Sequence, residues 1–115
     1  MVINNVELED LDIFDLDVFE KFQNELEKVK NGAEEAVKIP KVSDAMRQQC
    51  KLVFECFNNL FGEGTDKKVF GNKVNLLTCL KAFEELVQKI NEQKGEVEKL
   101  VNKYSPSRAQ RRAKK

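Results

Sequence analysis

Cys50, Cys56 and Cys79 are the most reactive side chains in this sequence, and their spacing limits what they can do. Structural zinc takes four ligands, commonly from Cys-x-x-Cys pairs or from cysteine with histidine. This chain has no such pair and no histidine. The three thiols therefore read as reduced side chains filling a helical core. Carboxylates are adjacent at Glu34-Glu35 and Glu84-Glu85, but both pairs fall where a solvated helix face is expected. The loop Gly62-Glu63-Gly64-Thr65 is too short to cradle nucleotide phosphates and lacks the accompanying lysine. With no histidine base and no nucleophile elbow, neither catalytic residues nor a metal or cofactor are expected, and the chain reads as a binding protein.

The end of the chain carries a different chemistry. Arg108, Arg111, Arg112, Lys114 and Lys115 fall within the last eleven residues, which contain no acid. Such an arm can neutralise phosphates or dock on an acidic protein surface. It has no aromatic side chain to stack on bases, so nucleic-acid binding by this arm alone is expected to be weak and salt-sensitive. The zero net charge is unevenly spread: residues 1–35 carry 11 acidic and 3 basic side chains, residues 36–104 carry 9 and 12, and the remainder only the five bases. That polarity suits complementary partners or head-to-tail self-association. Acids near a helix start and bases near the chain end also suit local stability.

These side chains must be positioned by helices. The 115 residues, 41% hydrophobic and 35% charged, fit one domain. The fold class expected is mainly all-α: a small bundle of three main helices, a short N-terminal β-hairpin, and a disordered basic tail over residues 105–115. Residues 2–8 read Val-Ile-Asn-Asn-Val-Glu-Leu, two short β-prone pieces around Asn4-Asn5, which favour a tight hairpin turn. Leu11, Ile13 and Phe14 then bring three large apolar side chains toward the core.

The spacing predicts a first helix near 17–38, capped by Asp17 with Glu20 completing a capping box. Its stripe is Phe19, Phe22, Leu26, Val29, Ala33 and Ala36, with Gly32 weakening the last turns by about 1 kcal/mol. A second helix near 43–61, capped by Ser43 and stopped at Gly62, carries Met46, Cys50, Val53, Phe57 and Leu60. A helical turn near 66–70 follows, closed by Gly71. The longest helix spans 73–103, opened by Asn72 or Asn75, with Leu76, Leu77, Leu80, Phe83, Val87 and Ile90 on its stripe. Phe19, Phe22, Leu26, Val53, Phe54, Phe57, Leu80, Phe83 and Val87 are the expected core. Beyond Gly95 the stripe thins to Val97 and Leu100, which are candidate partner-binding positions together with Arg108, Arg111 and Arg112.

The ending Ser107-Arg108-Ala109-Gln110-Arg111-Arg112-Ala113-Lys114-Lys115 is similar to the Asn-Arg-Ala-Gln-Arg-Arg endings of tail assembly chaperones of long-tailed bacteriophages, with serine in place of the usual asparagine. Asp12-Ile13-Phe14-Asp15, Phe61-Gly62-Glu63-Gly64-Thr65 and Phe70-Gly71-Asn72-Lys73-Val74-Asn75-Leu76 resemble segments of such proteins from phages and prophages of Gram-positive bacteria. The resemblance runs from about residue 10 to the end. It implies a small, helical, cytoplasmic protein with no catalytic residues, whose partner is the tape measure protein. The tail-tube protein is a second candidate partner, and many such proteins also occur with a frameshifted extension. No apolar run reaches the roughly 18 residues of a membrane span, and the acidic start is unlike a secretory signal, so a cytoplasmic, membrane-free protein is expected. Two other classes stay open: a small nucleic-acid-associated regulator using the basic tail, and a structural virion component.

Overall fold

A computed structural model of the chain describes residues 1–104. The expected disordered tail falls on residues 105–115, outside the described residues. Strands β1 (Val2–Ile3) and β2 (Val6–Glu7) pair antiparallel, Val2 opposite Glu7 and Ile3 opposite Val6. Asn4 and Asn5 turn between them with φ of 53° and 62°, the left-handed geometry that a tight hairpin requires and asparagine tolerates.

Four helices follow: α1 (Leu16–Ala36), α2 (Val42–Phe61), α3 (Thr65–Phe70) and α4 (Leu76–Tyr104). A mainly α-helical fold with a short hairpin at its N-terminus is thus what the residue pattern predicts. The caps differ in detail. Asp15, not Asp17, caps α1, and its side chain accepts from the Asp17 backbone N–H at 3.0 Å. Leu16 is already helical, which leaves Asp17 and Glu20 inside the helix. Ser43 does not cap α2 either: the chain enters from an extended Lys41, just after Pro40, and helix begins at Val42 with no side-chain cap. Gly62 ends α2 and Gly71 ends α3, both at positive φ that a side chain would strain. Asn75 opens α4, its Oδ1 accepting from Thr78 N–H at 3.0 Å.

Helices α1 and α2 form an antiparallel pair, because Glu25 bonds Asn59 near one end and Gly32 meets Leu52 toward the other. The buried positions of α1 are Phe22, Glu25, Val29, Gly32 and Ala36. Ala33, expected on the stripe, is exposed, because the buried face passes through its neighbour Gly32. A Cβ on Gly32 would overlap the Leu52 Cδ1 methyl, so the glycine that weakens the helix is also what brings α2 close. Leu26 and Phe19 are half-buried at the edges of this face.

Helix α4 runs in the same direction as α2. Its early residue Cys79 touches Cys50, early in α2, whereas its later residue Lys94 reaches Phe19 at the start of the antiparallel α1. The chain returns along α2 through α3 and the segment after it. Phe70 is locked between two α2 rings, 5.0 Å from Phe54 and 5.5 Å from Phe57 between centroids. The hairpin packs over this crossover: Ile3 is buried, Asn4 Nδ2 donates to Val69 O at 2.8 Å, and the Asn4 backbone N–H donates to Glu85 Oε1 at 3.3 Å.

The buried face of α4 is Cys79, Ala82, Leu86 and Ile90, with Phe83 and Val87 half-buried beside it. Leu80, expected in the core, is 41% exposed, and Leu77 is more exposed still. The reason is that α2 covers α4 from one side, so small Cys79 and Ala82 form the close contact and Leu80 is turned about 100° away. Met46 on α2 is likewise exposed, at the end where the bundle runs out. Phe14 also departs from expectation: Leu11 and Ile13 turn inward, but Phe14 lies on the surface. The 29 residues of α4 span about 43 Å, which accounts for the 54 Å long axis of a body only 32 × 23 Å across.

Substitutions at two positions test this packing. Phe57 is fully buried, stacked on Phe61 at 5.9 Å and edge-on to Phe70. Phe57→Ala should lower unfolding free energy by about 3–5 kcal/mol in urea titrations, enough to unfold a domain of this size. Gly32→Leu should lower it by about 1–3 kcal/mol through overpacking against α2. Gly32→Ala should stay within about 1 kcal/mol of wild type, because the helix-propensity gain offsets displacement of the Leu52 methyl.

Candidate partner-binding surface

Beyond Ile90 the buried face of α4 continues as Val97, Leu100 and Val101, which lie outside the buried core. Val97 is half-buried, Leu100 is 55% exposed and Val101 is 39% exposed. Where α4 leaves the body it passes the segment before α1, and an open groove of about 480 Å³ lies between them. Ile13, Phe14 and Phe19 line one wall, and Lys94, Val97 and Glu98 the other. Gly95 lies in this part of the helix with open space where a side chain would be, so it has no packing role comparable to that of Gly32.

The local fold fixes the groove's first wall. Asp12 Oδ1 accepts from the Phe14 N–H at 3.1 Å, and Asp15 caps α1 immediately afterwards. These two turns bury Ile13 and leave the Phe14 ring 56% exposed. Phe19 is half-buried one helical turn on, and the Lys94 ammonium lies 5.2 Å from the centre of its ring, a cation–π contact that closes the groove's floor. Of the expected partner-binding positions, Val97 therefore lines a groove and Leu100 lies one turn further out. Arg108, Arg111 and Arg112 lie outside the described residues. Ile13 and Phe19 line this groove while packing in or against the core as expected, and Phe14, expected toward the core, lies on the surface.

The groove can bind apolar side chains, but its lining brings together no nucleophile, base or acid pair. Among the described residues no group of three or more histidine, cysteine or acidic side chains is placed to hold a metal. Among the described residues the one buried charged side chain, Glu25, has a structural role: its carboxylate accepts from Lys28 Nζ on its own helix and from Asn59 Nδ2, each at 3.1 Å, and the second bond ties α1 to α2. Glu25 is not on the apolar stripe expected for α1, yet it lies on the buried face between Phe22 and Val29.

The three thiols are free and buried, as their reading as core side chains requires. Burial pushes the Cys56 thiol up to about 12, with the nearby Glu25 carboxylate adding to the rise and Lys28 opposing it. Burial also raises Cys79 to about 12, helped by its hydrogen-bonding contact with Cys50. Such thiols are poor nucleophiles at neutral pH.

Residues 4–115 match the Family of unknown function (DUF6673). No curated protein and no solved structure matches the chain.

The raised thiol values give a pH prediction with a definite sign. The folded state favours the neutral thiol, and an unfolded thiol ionises near 9. Stability from this source is complete below pH 9 and is lost as pH rises toward 12, by at most about 1.4 kcal/mol per pH unit for each thiol. Urea midpoints measured from pH 8 to 11 should fall more steeply for wild type than for Cys56→Ala/Cys79→Ala, whatever the offset between the two proteins.

Proposed function

We propose that this chain, which belongs to the Family of unknown function (DUF6673), is a phage tail assembly chaperone that binds the tape measure protein and keeps it soluble while the tail tube assembles. Apolar side chains that continue the core face of α4 beyond the body, Val97, Leu100 and Val101, support this reading most directly. A long helical client carries apolar stripes that associate with one another before tube subunits surround them. A holding protein needs a matching apolar surface that its own core does not use.

The segments that resemble tail assembly chaperones occupy informative places. Asp12–Asp15 builds the first wall of the groove, Phe61–Thr65 is the α2–α3 turn, and Phe70–Leu76 is the crossover that sets the direction of α4. The basic ending adds a salt-dependent attraction to acidic partner surfaces, whether on the client or on the tail-tube protein. The place of action in this reading is the cytoplasm of the bacterial host. Among the described residues no helix is long and apolar enough to cross a membrane.

Co-expression with the tape measure protein encoded beside it tests the proposal. Wild type should raise the soluble yield of that client and be captured with it in a pull-down. Val97→Asp/Leu100→Asp should reduce capture about tenfold or more, since each substitution sets a charge where apolar contact is needed. Deleting residues 105–115 should weaken capture less, chiefly at low salt, and leave the helical circular dichroism signal intact. The chaperone reading fails if wild type neither binds nor solubilises the client.

A further inference from the structure

The groove between Phe14 and Val97 differs from another large surface hollow in how its charges are committed. A hollow of about 550 Å³ on α2 is lined by Asp44, Arg47, Gln48, Lys51 and Glu55 around Leu52. Its charges are of both signs, and Asp44 already holds Arg47 at 3.1 Å. The groove at the end of α4 is mainly apolar; its lining holds one cation, Lys94, and one acid, Glu98, and the excess of acid comes from the segment before α1. Residues 1–20 contain seven acidic side chains and no lysine or arginine. Glu7 and Asp10 hold the Met1 ammonium at 3.4 and 2.7 Å. Of the other five, Asp12, Asp15 and Asp17 are exposed and flank Ile13 and Phe14 in the chain, Asp12 and Asp15 each accepting only a backbone N–H, and Glu98 lies on the opposite wall. The one cation among the lining residues, Lys94, lies over the Phe19 ring.

We infer that this groove takes a helix of another protein whose apolar stripe is flanked by lysine or arginine. Its volume is in the range of ordinary binding pockets, about 300–1,000 Å³, and it accepts the anchor side chains that a helix presents at i, i+3 and i+4. Exposed Leu100 and Val101 extend the contact by a further turn along α4. The acids at the rim then select the occupant by its flanks. Basic flanks meet Asp12, Asp15 and Glu98, whereas acidic flanks are repelled by them. The apolar lining supplies affinity, and the rim supplies choice of partner and rate of association. The inference deepens the chaperone reading by specifying the chemistry of the client segment, and rests on that reading only for the client being helical.

Two synthetic three-heptad peptides test it, with leucine at the same positions in both and either lysine or glutamate at every flanking position. Fluorescence anisotropy with the full chain should show the lysine-flanked peptide binding about tenfold or more tightly than the glutamate-flanked one at low salt. The difference should narrow to about twofold near 0.5 M salt, where charges are screened beyond roughly 4 Å. Asp12→Asn/Asp15→Asn/Asp17→Asn should remove most of the preference without loss of helicity, because asparagine still caps. Val97→Asp and, independently, Phe14→Ser should weaken the lysine-flanked peptide about tenfold. Phe14 is on the surface, so its replacement leaves the core intact.

Equal affinity for the two peptides, or preference for glutamate, overturns the inference. So does an affinity unchanged by both Val97→Asp and Phe14→Ser. A wild-type dimer in sedimentation that Val97→Asp converts to monomer also overturns it, by showing that a second copy covers the groove. Capture of the tape measure protein without any charge preference removes this inference and leaves the chaperone reading. A clear lysine preference without capture of the tape measure protein does the reverse.

Discussion

The Phe70 ring packed against Phe54 and Phe57 is the contact on which the shape of the molecule depends. Two helices joined by a short turn normally run antiparallel, as α1 and α2 do. Helix α4 does not, because α3 and the segment after it carry the chain back along α2 before α4 begins. Phe70 anchors that return. Since α4 starts beside the beginning of α2, its 29 residues outrun the 20 of α2 at the other end and emerge next to the start of α1. The groove exists because of that mismatch in length, with the Asp12–Asp15 turns supplying the second wall.

The helices, the hairpin turn at Asn4-Asn5 and the stops at Gly62 and Gly71 were all legible in the residue pattern. Each is a local signal: apolar periodicity, or residues that accept positive φ. Face assignments at the helix edges were not legible, because they depend on neighbours. Leu80 and Cys79 are equally apolar to a periodicity count, yet only the smaller can meet Cys50 at the closest approach of α4 to α2. Glu25, off the expected stripe, is buried and Ala33, on it, is exposed, because the buried face passes through Gly32, where α2 comes close. Of the binding surface, Val97 and Leu100 could be read as an apolar stripe that outlasts the body. Phe14 could not, since three apolar residues in five gave no sign of which would turn outward.

Electrostatics divides the protein into two kinds of region. Inside, the charge of Glu25 is met by Asn59 and Lys28, and no buried side-chain nitrogen or oxygen among the described residues lacks a hydrogen-bond partner. Removing one member of such a buried cluster is typically costly, so Glu25 helps specify how α1 and α2 pair. Outside, the acids around Phe14 remain exposed to solvent, Asp12 and Asp15 accepting backbone N–H groups around the start of α1. Their arrangement also matters for what approaches the groove.

The parallel course of α2 and α4 also has a consequence for the order in which the chain acquires structure. Contacts between α1 and α2 link residues separated by a short connection, such as Gly32 and Leu52, and close at little entropic expense. The contact of Cys79 with Cys50 closes a longer stretch of chain, through α3 and the crossover, and so carries a somewhat larger entropic cost. A chain emerging from the ribosome can therefore complete its helical hairpin while α4 is still being synthesised. The face of α4 that extends past the body is the last part to find anything to pack against. Among the described residues Leu100 and Val101 stay exposed, so this end of the helix is open to whatever the protein meets after it has folded.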